Sequence, residues 1–551
     1  MKVYEAVADA LVREQVGRVF GLMGDGNMEL LAELTQRRGV EFVKVRHEQG
    51  AVAMADGYAR ASGAVGVCTV TCGPALLNTA TSLAVARAHG SAVVLLAGDT
   101  PADDPGHLQN VDQQRFGAAL AATTIDVTDP GDVAARITEA FVAARSGHGP
   151  VLVNLPMDVQ GRDLPGAWSY TPAVAPASAA AETVAPSAAA IAEAAQVILS
   201  AERPAMIVGR GAIGAETAVL ALAEAAGTPF ATTLQATGLG GRHALSLGNA
   251  GLMGSPEAFA LMQEADVLLV VGASLSRLTT GFGRLVEGAR IVAIDHDPAA
   301  AGRADVLVLG DAGAGAAALE RELARRGDPT ARASAAAARV PEDPYPFTPE
   351  HGVGTVDPRS VFVALDELLP ANQALVMDAG HFISFAGPLL RIGRPVDWIF
   401  PTDIGCIGQS LSTAIGAAAA REGERVTVVA GDAGFLMGIS ELETAARYGV
   451  PLTIVVINDE GWGQEAHMLA LKDEAPELAL AATPDLALLA EGFGAAGHRV
   501  RSAEDLAGLP AVLAAAVGPL VIDVRVNPAI KNWVVHAFAL AGHDIRDAAA
   551  A

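Results

Sequence analysis

The chain has 551 residues, of which 51% are hydrophobic and 18% charged, with a formal net charge of −25. This apolar content predicts well-buried α/β cores rather than a disordered chain, and the acidic charge argues against nucleic acid or an anionic membrane surface as partner. We find no membrane-spanning segment and no signal peptide, and three cysteines without a zinc or disulfide pattern predict a cytoplasmic protein.

Residues 1–165 alternate short apolar runs with amphipathic stretches, which is the pattern of a doubly wound parallel sheet. We expect strands at 18–20, 41–45, 65–70, 92–97 and 151–155. Helices are expected at 2–15, from the end of the loop 21–27 to about residue 38, and at 75–88. The segment 46–50 is expected to open a further helix that runs to residue 61.

Two linker-like stretches separate this block from two further α/β blocks. Residues 166–186 are rich in Pro, Ala, Ser and Thr, and residues 327–357 contain Pro341, Pro344, Pro346 and Pro349. Strands are expected at 204–209, 267–272 and 290–294 in the second block and at 374–377 in the third. The fold prediction is therefore α/β, with three doubly wound parallel-sheet domains at 1–165, 187–327 and 358–540.

The stretch 425–461 carries the most informative pattern of the third block. An apolar run at 426–429 leads into Gly431-Asp432-Ala433-Gly434, a helix is expected at 438–448, and a second apolar run at 452–457 ends at Asn458. Ligands bind at the carboxyl ends of parallel strands, and the oxygens of Asp432 and Asn458 suit Mg²⁺. Gly431 and Gly434 allow the backbone to approach a bulky anion.

Gly431-Asp432-Ala433 followed by Asn458 resembles the thiamin diphosphate motif, and the three blocks resemble the thiamin diphosphate decarboxylase and acetolactate synthase superfamily. The resemblance implies a pyrimidine-binding, a central and a diphosphate-binding domain, in that order. It implies Mg²⁺ bound by Asp432, Asn458 and the backbone carbonyl of Glu460. The cofactor-binding residues expected around this metal are Gly431, Ala433, Gly434, Gly461, and, in the turn after strand 374–377, Gly380 and His381.

Glu48 lies in Arg46-His47-Glu48-Gln49-Gly50, just past a predicted strand. In isolation it is a first-turn acid favoured by the helix dipole. With Ala55-Asp56-Gly57-Tyr58-Ala59-Arg60 downstream, the segment resembles the family's pattern around its activating glutamate. The resemblance implies that Glu48 hydrogen-bonds the aminopyrimidine, that Ile407 separates the two cofactor rings, and that the Gly405 carbonyl holds the pyrimidine amino group.

Other residues of the first block are expected beside substrate and cofactor. Asp25, next to Gly24 in a glycine-rich loop, matches the proton-relay position of pyruvate decarboxylases. Gln113 or Gln114 matches a glutamine that contacts the bound intermediate in acetolactate synthases. Pro74 and Asn78 fit a family turn, Gly-Pro-Gly-x-x-Asn, in which Ala75 replaces the second glycine.

FAD is the open cofactor question. Acetolactate synthases carry Gly-x-Arg-Phe-Asp-x-Arg-x-Thr-Gly in the central domain. Here Ser274 and Leu278 stand where the two arginines would be, and Arg277 is one place away. Thiamin diphosphate and Mg²⁺ are therefore the expected cofactors, and the FAD motif is incomplete.

The resemblance implies an enzyme that decarboxylates a small 2-oxo acid and ligates the resulting carbanion/enamine to a second carbonyl. One alternative is simple decarboxylation to an aldehyde, which Asp25 favours. Another, of a different class, is a non-catalytic cofactor-binding homologue, against which the intact Glu48, Asp432 and Asn458 argue. The family's sites lie between subunits, so a homodimer or homotetramer is expected.

Overall fold

A computed structural model of the chain describes residues 1–173, 185–297, 299, 304–343, 345–370 and 372–535. These residues form three six-stranded sheets in which every strand pair is parallel. In this part of the chain no helix is both long and apolar enough to cross a membrane. Residues 174–184 of the predicted first linker, Pro344 of the second, and the predicted domain end at 536–540 lie outside the described residues.

The first domain has the strand order β2-β1-β3-β4-β6-β5. Its strands are β1 Arg18–Gly21, β2 Glu41–Lys44, β3 Gly66–Val70, β4 Val93–Asp99, β5 Thr123–Asp126 and β6 Val151–Pro156. Its helices are α1 Val3–Arg13, α2 Met28–Ala32, α3 Glu48–Ser62, α4 Pro74–Leu77, α5 Ala80–His89, α6 Gln113–Leu120, α7 Val133–Arg145 and α8 Met157–Gln160. A π-helical turn, Glu33–Arg37, continues α2.

The second domain has the order β12-β11-β10-β7-β8-β9. Its strands are β7 Pro204–Val208, β8 Phe230–Thr232, β9 Ser246–Asn249, β10 Val267–Val271, β11 Arg290–Asp295 and β12 Val306–Leu309. Its helices are α9 Ala188–Ser200, α10 Glu216–Ala226, α11 Pro256–Gln263, α12 Ala312–Arg325 and α13 Pro329–Ala337.

The third domain has the order β14-β13-β15-β16-β18-β17. Its strands are β13 Leu375–Met377, β14 Trp398–Ile399, β15 Val426–Gly431, β16 Leu452–Asn458, β17 Ala496–Val500 and β18 Leu520–Arg525. Its helices are α14 Pro358–Leu368, α15 Ile383–Leu389, α16 Ser410–Ala420, α17 Asp432–Gly438, α18 Ser440–Arg447, α19 Gly463–Leu471, α20 Leu486–Gly492, α21 Ala503–Ala507 and α22 Leu509–Ala515.

Both faces of the first sheet are covered, as a doubly wound fold requires. On β3, Val67 and Cys68 point to opposite faces and belong to different hydrophobic clusters. The cluster around Cys68 continues into the third domain through α16 and β15. The predicted fold class, three doubly wound α/β domains, is confirmed.

The first and third sheets have the same strand order, and their helices α3 and α16 pack against each other. Two glycines allow this close crossing. A Cβ on Gly57 would lie 2.0 Å from the carbonyl oxygen of Thr413, and a Cβ on Gly416 would lie 1.9 Å from that of Met54. The two domains therefore form one continuous core around this helix pair.

One sequence prediction was wrong. The stretch 327–357 is not linker throughout, because α13 occupies Pro329–Ala337. Its local signals are strong: the side chain of Asp328 accepts hydrogen bonds from the N–H groups of Thr330 and Ala331, and Pro329 stands at the first helical position. The surrounding prolines concealed this start signal.

Candidate active site

Asp432 and Asn458 lie side by side at the carboxyl edge of the third sheet. Strands β15 and β16 are paired so that Gly431 stands opposite Ile457, and each polar residue directly follows its member of that pair. Both side chains are buried. The proximity of Asp432 and Asn458 therefore follows from the strand register.

The amide of Asn458 is held in one orientation. Its Nδ2 donates to Oδ1 of the buried Asp523 at 2.8 Å, and its Oδ1 accepts the N–H of Glu460 at 3.2 Å. Glu460 has a φ of +63°, which turns the chain sharply after β16. The Glu460 carbonyl accepts a hydrogen bond from the N–H of Ala481 at 2.8 Å, and its second lone pair remains for a cation.

Asp432 lies against the side chain of Thr483 and against backbone N–H groups. Thr483 donates from Oγ1 to Oδ2 of Asp432 at 2.6 Å. Burial is the main cause that raises the pKa of Asp432, while the bond from Thr483 and nearby backbone N–H groups oppose it. A buried carboxylate beside an amide oxygen and a backbone carbonyl is an all-oxygen donor set, and such a set fits Mg²⁺.

The sequence reasoning missed Asp459, which lies in this site between Asp432 and His381. Burial and the adjacent Asp432 carboxylate raise the pKa of Asp459 to about 7. Nε2 of His381 lies 2.9 Å from Oδ2 of Asp459. The available signal was its position, directly after Asn458 at the carboxyl end of β16.

His381 is a buried, neutral imidazole. Burial and the neighbouring His467 lower the pKa of His381 to about 3. Its Nδ1 is buried without a hydrogen-bond partner in the described structure. Because the imidazole is neutral and its Nε2 faces the Asp459 carboxyl, the ring adds no positive charge to this wall of the cavity.

A cavity of about 500 Å³ opens beside these residues, and six of the residues that line it are glycines. Its glycines are Gly380, Gly405, Gly431, Gly434, Gly461 and Gly463, with Ala433 between them. A Cβ on Gly434 would lie 2.8 Å from Oδ2 of Asp378, and one on Gly463 would lie 1.9 Å from Oδ2 of Asp459. Such a wall lets a bulky anion approach main-chain N–H groups.

Asp378 fixes the loop that carries Gly405 and Ile407 to the cavity. Its Oδ2 accepts hydrogen bonds from the N–H of Gly408 and from Oγ of Ser410, both at 3.0 Å. Burial raises the pKa of Asp378 to about 6, against the effect of these bonds. Gly405 has a φ of +76°, so a residue with a side chain would strain the loop there.

The first domain brings together a separate set of predicted residues. Glu48 begins α3, and its Oε2 accepts a hydrogen bond from Nδ2 of Asn78 at 3.0 Å. Pro74 opens α4 directly after Gly73, whose φ is +60°. The described residues that line the cavity belong to the second and third domains, so a single chain does not bring Glu48 to it.

Asp25 and the two glutamines differ in their surroundings. Asp25 is exposed in a loop closed by a hydrogen bond from the N–H of Gly24 to Oδ1 of Asn27. Gln113 is buried; its Oε1 accepts the N–H of Gly73 and its Nε2 donates to Gly98 O and Asn154 Oδ1. Gln114 is exposed and donates to Asp126. Gln113 thus supports the Gly73 turn, since its polar groups are used inside the domain.

The second domain contributes apolar residues to the cavity, namely Leu234, Met253 and Leu278. Leu278 occupies one of the two positions at which the expected FAD motif has arginine. The loop Gly209–Gly211 packs on its own chain, because the N–H of Gly211 donates to the Gly272 carbonyl at 3.0 Å. These contacts do not support FAD binding.

Comparison with protein families gives the same domain series. Residues 1–117 match the N-terminal TPP binding domain of thiamine pyrophosphate enzymes, residues 191–319 match their central domain, and residues 378–524 match their C-terminal TPP binding domain. Thiamine pyrophosphate is a synonym of thiamin diphosphate. The fold and site therefore define a thiamin diphosphate-dependent enzyme.

Curated relatives narrow the class. The chain is 34% identical to the acetolactate synthase large subunit of Parasynechococcus marenigrum (strain WH8102), over 95% of this chain and 87% of the relative. It is 31% identical to acetolactate synthase of Arthrospira platensis, covering 98% and 96%. It is 30% identical to acetolactate synthase isozyme 2 large subunit of Escherichia coli (strain K12), covering 96% of each. The chain belongs to the acetolactate synthase-like superfamily of thiamin diphosphate enzymes.

Proposed function

We propose that this protein binds thiamin diphosphate and Mg²⁺, decarboxylates a small 2-oxo acid and joins the remaining fragment to a second carbonyl compound. The observation that carries the proposal is the pairing of Gly431 with Ile457, which sets Asp432 beside Asn458 at the edge of a glycine-walled cavity. The printed names of the relatives, acetolactate synthases, support a carboligase over other thiamin diphosphate enzymes.

The third domain would hold the metal and the diphosphate. Asp432, the amide oxygen of Asn458 and the Glu460 carbonyl would bind Mg²⁺. Main-chain groups at Gly431, Ala433, Gly434, Gly461 and Gly380, together with His381, would face the diphosphate. Because His381 is neutral, it would add no positive charge beside the anion.

The first domain would act on the aminopyrimidine. Glu48 would hydrogen-bond a ring nitrogen of the cofactor, with Asn78 fixing the other side of the carboxylate. Gly405 would hold the pyrimidine amino group through its carbonyl, and Ile407 would separate the two rings. When bound, the cofactor supplies the electron sink for decarboxylation, and the chain orients it and excludes water.

We also propose that two chains form each site. Glu48 and Asn78 lie on the first domain, and the cavity is lined by the other two domains of the same chain. Exposed apolar side chains occur beside both halves: Met23 and Leu77 on the first domain, and Ile404, Met437 and Trp462 on the third. A homodimer, or a tetramer of two dimers, would cover them and complete the site.

We also propose the domain boundaries 1–165, 187–327 and 358–540 and a cytoplasmic location. Three free cysteines in the described chain agree with a reducing compartment.

Simple decarboxylation is the second candidate. The exposed carboxyl of Asp25, on a loop held by Asn27, favours it, because a second copy could receive this group as a proton donor.

Product analysis separates the two candidates. The purified protein is incubated with pyruvate, thiamin diphosphate and Mg²⁺, and acetolactate and acetaldehyde are quantified over time. Acetolactate as the main product supports the carboligase, whereas acetaldehyde alone supports the simple decarboxylase. Omission of Mg²⁺ with chelator present should abolish either product, and unchanged turnover without divalent metal would contradict the proposed metal site.

A further inference from the structure

A buried carboxylate of the third domain holds the main chain just before Glu48. Glu441, on α18, is 2% exposed. Its Oε1 accepts hydrogen bonds from the N–H groups of Arg46 and His47, each at 2.9 Å. Its Oε2 accepts a hydrogen bond from Oγ1 of Thr444 at 2.7 Å, so the carboxylate is fixed at both ends.

The fit is tight at the start of α3. A Cβ on Gly50 would lie 2.7 Å from Oε1 of Glu441, so glycine alone admits the carboxylate there without displacement. The N–H groups that Glu441 accepts belong to the turn into α3, where a helix has unpaired donors and favours negative charge. Glu441 therefore provides the hydrogen-bond acceptor for backbone N–H groups at the start of the helix that carries Glu48.

The first domain makes the reciprocal contact. The hydroxyl of Ser82, on α5, lies 2.6 Å from Oε1 of Gln409 and 3.0 Å from the Gln49 carbonyl oxygen, so its single proton is shared between these two acceptors. Gln409 directly precedes α16, the counterpart of α3 in the third domain. The two contacts are thus reciprocal: α18 of the third domain holds the segment before α3, and α5 of the first domain holds the segment before α16.

We propose that Glu441 is a positioning residue, which sets the direction of the Glu48 carboxylate by holding the Arg46–His47 turn. This inference rests on the proposed function, in which Glu48 acts on the aminopyrimidine. Glu441 follows α17, the helix that begins with Asp432. In the proposed dimer, the segment formed by α17 and the start of α18 therefore has two roles. It carries Asp432 of its own chain's metal site, and it positions Glu48 of the same chain, which would enter the partner's site.

Three variants isolate the contact. Glu441→Ala removes both acceptors. Glu441→Gln retains Oε1, the atom that accepts both main-chain N–H groups, and should restore the turn. Glu443→Ala is the matched control on the same helix, because Glu443 binds the Arg46 side chain at 2.6 Å and does not accept from the main chain. Glu441→Asp, with its carboxylate drawn back by one methylene, serves if Glu441→Ala fails to fold.

The first readout uses the protein without cofactor. Amide hydrogen exchange of the peptide spanning residues 45–50 should speed up at least tenfold in Glu441→Ala and in Glu441→Asp. It should stay within twofold of wild type in Glu441→Gln and Glu443→Ala. Unchanged exchange in Glu441→Ala, or in Glu441→Asp where the alanine variant does not fold, would overturn the assignment.

The second readout is steady-state turnover of pyruvate by the loaded protein. We expect kcat to fall roughly ten- to hundredfold in Glu441→Ala with KM within twofold, because misplacement of a reacting group by about 1 Å has such an effect. Glu441→Gln should recover most of kcat. Equal kcat in Glu441→Ala and wild type would refute the inference, and so would equal losses in Glu441→Ala and Glu443→Ala.

A parallel Glu48→Gln variant distinguishes a failure of the positioning role of Glu441 from a failure of the proposed function. If Glu48→Gln abolishes turnover and Glu441→Ala does not lower it, the positioning role falls and the proposed function stands. If Glu48→Gln leaves turnover intact, the proposed function itself falls.

Discussion

Asn78 donates a hydrogen bond from Nδ2 to Oε2 of Glu48 at 3.0 Å. The two residues come from different elements of the first domain, because Glu48 begins α3 after β2 and Asn78 follows α4 after β3. They meet because the carboxyl ends of parallel strands share one edge of the sheet. The acid is thereby fixed in place before any ligand arrives.

Replacement of Glu48 should remove catalysis and leave the fold intact. Glu48 is half-exposed, so Glu48→Gln should leave the melting temperature unchanged. We expect kcat with pyruvate to fall at least about a hundredfold, the usual contribution of a positioned acid or base. Asn78→Ala, which only frees the carboxylate, should lower kcat roughly tenfold. Near wild-type turnover in Glu48→Gln would remove this residue from the mechanism.

Gly463 should not tolerate a side chain, although it lies at the start of a helix. The added Cβ of Gly463→Ala would lie 1.9 Å from Oδ2 of Asp459 and 2.8 Å from the His381 ring. We expect calorimetry to show at least a tenfold weaker affinity for thiamin diphosphate with Mg²⁺. The matched control is Gly492→Ala at the end of α20, where the added Cβ meets no atom within 4 Å.

That control should change the free energy of unfolding by no more than about 1 kcal/mol and leave the affinity unchanged. If both alanine variants bind the cofactor as wild type does, the cavity wall near Asp459 is not part of the binding site.

Burial of Asp378 should give the cofactor-free protein a distinct pH dependence. The pKa of Asp378 rises from 3.8 to about 6 on folding, so the folded state binds more protons than the unfolded state between these values. Stability conferred by this group is therefore greatest at low pH and is lost as pH rises through that window. The loss amounts to about 3 kcal/mol across the window.

Denaturant titrations of wild type and Asp378→Asn between about pH 4 and pH 6 measure this difference directly. We expect the free energy of unfolding of wild type to fall with pH relative to the variant, and the two curves to become parallel above the window. Ser410→Ala, which removes one hydrogen bond to the same carboxylate, should retain the slope. A constant difference between wild type and Asp378→Asn would contradict the raised pKa.

The fold class could be predicted because the central strands are short, predominantly apolar runs followed by glycine or acid residues. The strands β15 and β16 are examples, and both stand close to their predicted positions. Seven strands were not predicted, namely β5, β8, β9, β12, β14, β17 and β18. Among those at sheet edges, Thr123–Asp126 has three polar residues out of four and Trp398–Ile399 has only two residues. Such edge strands take their conformation from the neighbour with which they pair.

The metal residues could be found from local sequence, whereas their surroundings could not. Asp432 and Asn458 end adjacent strands, so a βαβ pattern suffices to pair them. Thr483 reaches the same place from a distant segment, and sequence spacing carries no information on that approach. His381 was expected there only through the family resemblance. The use of Gln113 inside the domain was hidden for the same reason, since its partners Gly73 and Asn154 are far apart along the chain.

Subunit complementation tests the central claim, that one site combines Glu48 of one chain with Asp432 of another. Glu48→Gln and Asp432→Ala, each inactive alone, are unfolded, mixed in equal amounts and refolded together. Half of the dimers should then be hybrids with one intact site, so activity should return to about one quarter of wild type. If the mixture stays as inactive as its components while hybrid dimers are present, both residues act within one chain and the account is contradicted.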